Sequence, residues 1–164
     1  MLPSIDLKQQ LSNIDAAFRA ETNNLKALLL AKLAILELGG WTEECIDKIV
    51  TDFVNARALT SKQKIINKLK KVYGFGYEND FRQMIVELVG AVGFERIESR
   101  LGSQCQHLET ALSRLKEQRN QCAHTFTKPS SSIDAPSIAI SLLATIETGL
   151  TAFDAELNKI LLQP

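Results

Sequence analysis

Six consecutive residues, Arg119-Asn120-Gln121-Cys122-Ala123-His124, combine side chains that can cleave a phosphodiester bond without a metal ion. Arginine binds a phosphate through a planar fork of donors and is always charged. Histidine can accept or donate a proton near neutral pH. The chain has only two histidines, and one of them follows Arg119 and Asn120 by about one and a half helical turns. The segment therefore supplies a phosphate-binding group and a proton-transfer group together.

In such a site, neutral His124 would act as the base for a ribose 2′-hydroxyl, and its imidazolium form as the acid for the leaving 5′-oxygen. Arg119 would stabilise the charge on phosphorus, and Asn120 would orient the phosphate or the imidazole. On one regular helix, Arg119 and His124 point about 140° apart. Either the helix unwinds near His124, or a second copy completes the site about a two-fold axis, which the small Ala123 permits. The alternative is a surface Arg, a surface Asn and a helix-capping His.

Apolar residues recur at helical spacing along nearly the whole chain, and no alternating strand pattern is present. The sequence therefore predicts an all-α, up-and-down helical bundle with four or more main helices and extra short ones. We expect a single domain over residues 1–164. The apolar positions keep one phase through Gly39-Gly40, which favours one long helix there over a turn. A later helix, which holds Phe81 and Ile85, is expected to end around Gly90 to Gly93.

Local signals mark other helix ends. Thr60-Ser61-Lys62-Gln63 and Ser103-Gln104-Cys105-Gln106 are typical of capping boxes that open helices. The segment from Thr127 to Ser132 is typical of a loop. Asp134 can cap the last helix, and Pro136 is expected in its first turn, where proline is tolerated.

The charges are balanced overall but unevenly distributed. Lys plus Arg and Asp plus Glu both total 19, which argues against a protein whose whole surface binds polyanions. Between Phe53 and Tyr77, however, there are six basic residues and no acidic one. Within this segment the candidate RNA-binding residues are Lys64, Lys68 and Lys71. They predict either a patch for an RNA backbone or the solvated face of an amphipathic helix.

The cysteines and the hydropathy pattern favour a cytoplasmic protein. The three cysteines cannot all pair within one chain, and the first residues do not have the pattern of a secretory signal. The apolar stretch from Leu25 to Leu38 is too short and too charged to span a bilayer. Two C-x-H pairs could suggest zinc, but residues two apart on a helix point about 200° apart, so neither pair can chelate while helical. We therefore expect no metal and no cofactor.

The string Arg119-Asn120-x-x-Ala123-His124, late in a small all-α chain, resembles the HEPN (higher eukaryotes and prokaryotes nucleotide-binding) family. The segment Leu36 to Glu44, in which a glycine pair and Trp41 precede two acids, looks like the second helix of small stand-alone bacterial members. The resemblance implies a dimeric, metal-independent endoribonuclease that cleaves RNA in toxin–antitoxin or anti-phage systems, with an antitoxin or defence-system partner.

The acids Glu43 and Glu44 are candidates for supporting the motif across the core, although two exposed acids on a helix are the more common situation. In HEPN toxins paired with a nucleotidyltransferase antitoxin, a Tyr often lies two residues after the His and receives a nucleotide. This chain has Phe126 there, which has no hydroxyl to modify. Two alternatives remain: a HEPN-fold binding or dimerisation module without activity, and an unrelated four-helix scaffold with a chance motif.

Overall fold

The structure, a computed structural model, describes residues 2–56, 63, 66, 67, 74–124 and 133–161, with the side chains of residues 124 and 161 excepted. Within these residues it contains α-helices and one π-helical turn, and no β-strand, so the all-α prediction is confirmed. The helices are α1 (Ile5–Ala20), α2 (Asn24–Ala56), α3 (Arg82–Leu101), α4 (Ser103–His124) and α5 (Pro136–Leu161). The π-helical turn, Tyr77–Phe81, directly precedes α3.

Helix α2 runs through Gly39-Gly40 without a break, which confirms the prediction of one long helix. Its apolar positions keep their phase on both sides of the glycines, so one face remains buried from Ala31 to Val54. Gly39 belongs to the buried face, and Gly40 faces solvent with no atom within 4 Å of the place that a Cβ would occupy.

The expected helix end at Gly90 to Gly93 is confirmed in part, because the helical geometry breaks at Gly90 and a second helical segment follows directly as far as Leu101. Gly90 has φ 76° and ψ 164°, which interrupts the helical geometry, and the helix then resumes. Phe94 and Ile97 lie after this kink and are fully buried. The packing of these two side chains restores a helix that the glycine alone would end.

Helix α5 lies at the centre of the bundle and contacts α1, α2, α3 and α4. Its stripe of fully buried residues comprises Leu143, Ile146, Leu150, Phe153 and Leu157. Pro136–Ile160 is long and apolar enough by composition to cross a membrane, with a mean hydropathy of 1.4 in its most apolar window. It is therefore this segment, rather than Leu25 to Leu38, that most resembles a membrane span. Its buried side chains pack against the other four helices, and 39% of its most apolar window is buried.

The helix ends that the sequence predicts agree only in part with the structure. Helix α5 begins at Pro136 as predicted, but the carboxylate of Asp134 pairs with Arg114 at 2.8 Å rather than capping the helix. Helix α4 begins at Ser103, where the carbonyl oxygen of Gly102 accepts the first hydrogen bonds. Residues 60–62 of the predicted capping box Thr60-Ser61-Lys62-Gln63 lie outside the described residues, as does the predicted loop at residues 127–132.

Candidate functional site

The six-residue motif occupies the last turns of α4, which remains α-helical up to His124. The helix therefore does not unwind before the histidine, and Arg119 and His124 lie about 140° apart around its axis. Of the two ways to bring these side chains to one phosphate, unwinding ahead of His124 does not occur in this helix, and the second copy stays a prediction. The side chain of His124 lies outside the described residues, whereas Ala123 is exposed, as a close approach by another copy requires.

The side chain of Arg119 is held at the surface by contacts with distant parts of the chain. Its Nη2 lies 3.2 Å from Oε1 of Glu43 on α2, and its Cζ lies 5.8 Å from the ring centroid of Phe75. Its Cδ passes over Gly39. The arginine side chain is still 41% exposed. The guanidinium is therefore oriented from two sides while part of it stays accessible to a ligand.

Phe75 reaches this position because the turn Gly74-Phe75-Gly76 wraps around a buried carboxylate. Oδ2 of Asp80 accepts hydrogen bonds from the backbone N–H of Gly76 at 2.9 Å and from Nζ of Lys116 at 2.7 Å. A Cβ on Gly74, whose φ is 135°, would lie 2.7 Å from the same Oδ2. A Cβ on Gly76 would lie 2.5 Å from Cδ of Lys116. Gly74 is thus needed for the turn to close over Asp80, whereas a side chain at Gly76 would meet only the flexible end of Lys116.

A polar cleft of about 330 Å³ lies between this turn and α4, beside the motif. Asn120 lines it from the motif, and Lys116 lines it from one turn earlier on the same helix. The other residues that line the cleft are Gly76, Tyr77, Glu78, Asn79, Ser113 and Glu117. The cleft offers amide, hydroxyl and carboxylate groups, together with the ammonium of Lys116, which pairs with Asp80. Such groups can bind the base or the sugar of a nucleotide whose phosphate contacts Arg119.

Lys116 was missed in the sequence analysis, although a signal for it exists. It precedes Arg119 by three positions and Asn120 by four, so all three lie on neighbouring parts of one helix face. Phe75 and Asp80 were missed for a different reason. They position Arg119 and Lys116 only through tertiary contacts.

The structure separates the two candidate supporting acids. Glu43 pairs with Arg119 and is partly buried. Glu44 lines a different cleft, between α1 and α2, together with Leu7, Gln10, Leu36, Glu37, Gly40 and Trp41. Of the two, Glu43 is therefore the acid that contacts the motif. Lys64, Lys68 and Lys71 lie outside the described residues, so their relation to the site stays a prediction.

The cysteines of the two C-x-H pairs are packing residues. Cys105 is buried and lies 2.8 Å from the hydroxyl of Tyr77. Cys122 is half-buried against the core, and this burial raises the pKa of its thiol, although the charge of Lys32 opposes the shift. Among the described residues, no cluster of three or more His, Cys, Asp or Glu side chains is arranged to hold a metal ion.

Comparison of the chain with models of protein families, with curated proteins and with solved structures gave no match.

Proposed function

We propose that this chain is a metal-independent endoribonuclease of the HEPN type that acts as a cytoplasmic homodimer in toxin–antitoxin or anti-phage defence. One observation carries the proposal. Arg119 is fixed by Glu43 and Phe75 yet remains 41% exposed, on the same helix end as Asn120 and His124. An arginine that is oriented but still accessible is suited to bind a phosphate whose charge increases during the reaction.

The proposed reaction needs only groups that the chain supplies. His124 removes the proton from the 2′-hydroxyl, whose oxygen then attacks the adjacent phosphorus. The bond from phosphorus to the 5′-oxygen breaks, and an imidazolium returns a proton to that oxygen. The products are a 2′,3′-cyclic phosphate and a 5′-hydroxyl end. Arg119 stabilises the charge on the phosphate oxygens, and Asn120 orients the phosphate.

The separation of Arg119 and His124 around α4 requires a second copy in this mechanism. Each phosphate would lie between two motif helices related by a two-fold axis, so that residues from both copies reach it. A further partner, such as an antitoxin or another defence protein, would act on this dimer. The lysine cluster at Lys64, Lys68 and Lys71 would contact the RNA backbone beyond the cleaved bond.

A labelled RNA incubated with the protein in excess EDTA tests the proposal. We expect cleavage, cyclic phosphate ends, and protection of a strand whose cleaved position carries a 2′-deoxyribose. His124→Ala should reduce the rate by about 10² to 10⁴, the usual contribution of a general acid or base. His107→Ala is the matched control, since His107 is exposed on the same helix and should tolerate the change. Activity that EDTA abolishes, or that survives in His124→Ala, would contradict the mechanism.

A second candidate function, a HEPN-fold binding or dimerisation module without activity, is favoured by the contact between Arg119 and Glu43. The carboxylate neutralises part of the guanidinium charge that an RNA phosphate would otherwise meet. This module would bind RNA or a protein partner but leave a labelled RNA intact. Glu43→Gln, which frees the guanidinium, should then strengthen RNA binding without producing any cleavage.

A further inference from the structure

The first half of α2 exposes a row of leucines to solvent. The exposed fractions of Leu25, Leu29, Leu33 and Leu36 are 66%, 56%, 40% and 48%. At about 100° per residue, these four lie within about 80° of one another around the helix axis, and we call them the leucine stripe. Apolar patches of this kind are often binding surfaces.

Two opposite charges lie along one edge of the leucine stripe. Lys26 and Glu37 differ by only about 20° around the axis of α2 but are about 16 Å apart along it, so they cannot pair within one copy. Within the part of the chain that the structure describes, neither side chain has an ion-pair partner. The edge is therefore positive at one end and negative at the other.

The residues of the stripe and its edge share one midpoint along α2. Leu25 and Leu36, Leu29 and Leu33, and Lys26 and Glu37 are all symmetric about a position level with Ala31. A two-fold axis that lies between two copies, perpendicular to α2 at this level, makes their α2 helices antiparallel. It places the charged edge of one copy beside the charged edge of the other. Each leucine then faces a leucine of the second copy, and Lys26 of each copy faces Glu37 of the other. This is the self-complementarity that an isologous dimer interface requires.

We infer that two copies of this chain associate through the leucine stripe, with their α2 helices antiparallel. The inference rests on the proposed function, which requires a second copy of the chain as the partner. Arg119 contacts Glu43, and farther along α4 the charge of Lys32 acts on the thiol of Cys122, whose pKa burial raises, so α4 runs along α2 with its C-terminal end toward the stripe. The axis therefore passes near the C-terminal ends of both motif helices, where a composite site would form.

Sedimentation equilibrium of the full chain tests the interface. We expect twice the 18.2 kDa of the chain for the unmodified protein, and the monomer mass for Leu29→Asp. Val92→Asp is the matched control, because Val92 is 64% exposed on α3 and lies outside the stripe. It should leave the dimer intact. Circular dichroism shows whether each variant keeps its helices, so loss of folding is distinguished from loss of association.

Charge reversal tests the antiparallel arrangement. Lys26→Glu creates two like-charge pairs by symmetry and should weaken association by about tenfold, as should Glu37→Lys. The double variant restores opposite charges and should recover the affinity of the unmodified protein. A monomer at every concentration, a dimer that Leu29→Asp does not affect, or a double variant weaker than both single ones would overturn the inference. A stripe-dependent dimer that cannot cleave RNA would refute the ribonuclease and support the interface. A dimer that cleaves RNA and that Leu29→Asp leaves intact would support the ribonuclease and refute the interface.

Discussion

Replacing Arg119 with Ala should slow RNA cleavage much more than it destabilises the fold. Arg119 contributes to stability through one exposed ion pair with Glu43 and one contact with the ring of Phe75. An exposed ion pair contributes about 0.2 to 1 kcal/mol, and an exposed cation–π contact about 0.5 to 1 kcal/mol. The free energy of unfolding should therefore fall by about 1 to 2 kcal/mol, which lowers Tm by a few degrees in a chain of this size.

The effect of Arg119→Ala on cleavage should be larger. Removing one donor that stabilises developing negative charge slows a reaction by about 10² to 10³, equivalent to about 2.7 to 4 kcal/mol in the transition state. At a temperature well below Tm, the loss of folded protein accounts for none of this decrease. Arg119→Lys should fall between the two, because it keeps the charge but loses the planar fork.

The assay is a time course on labelled RNA in excess EDTA, with thermal unfolding measured on the same preparation. Glu43→Gln is the matched control, because it removes the same ion pair but keeps the guanidinium, and it should reduce the rate by less than about tenfold. If folded Arg119→Ala cleaves RNA within a few-fold of the unmodified rate, Arg119 does not stabilise the transition state. The exposed guanidinium would then be a surface group.

Four other predictions concern RNA binding and stability. Replacing Lys64, Lys68 and Lys71 with Glu should weaken RNA binding and reduce its dependence on salt, as measured by titrations at several salt concentrations. Unchanged binding would show that the lysine cluster is only a solvated helix face. In urea unfolding, Gly40→Ala should stabilise the protein by about 0.5 to 1 kcal/mol, because Gly40 lies within a helix with open space around it. Gly90→Ala should destabilise it by about 1 to 3 kcal/mol, because φ at Gly90 is 76°. Burial raises the pKa of Tyr77, and its hydrogen bonds with Cys105 and Glu98 add to the rise. The contribution of the protonated hydroxyl to stability is therefore complete below the unfolded pKa of about 10 and is lost as the pH rises above that value. Tyr77→Phe should therefore reduce the stability near neutral pH and flatten its decline between pH 9 and 11, and an unchanged decline would contradict this assignment.

The sequence alone was sufficient for the features that depend on local periodicity. The helical spacing of apolar residues predicted an all-α chain, and their constant phase across Gly39-Gly40 predicted the continuity of α2. The motif was placed correctly near the end of a helix, with Arg119 and His124 on different sides. Each of these follows from the geometry of a single helix, which nearby residues determine.

Contacts between helices were decided only by the tertiary structure. The sequence offered Glu43 and Glu44 equally, but the rotation of α2 against α4 directs one to Arg119 and the other to a separate cleft. The roles of Phe75 and Asp80 depend on a turn that closes over α4, and the continuation of α3 past Gly90 depends on burial of Phe94 and Ile97. Periodicity determines which face of a helix is buried, but the packing of the whole core determines which residues of other helices that face meets.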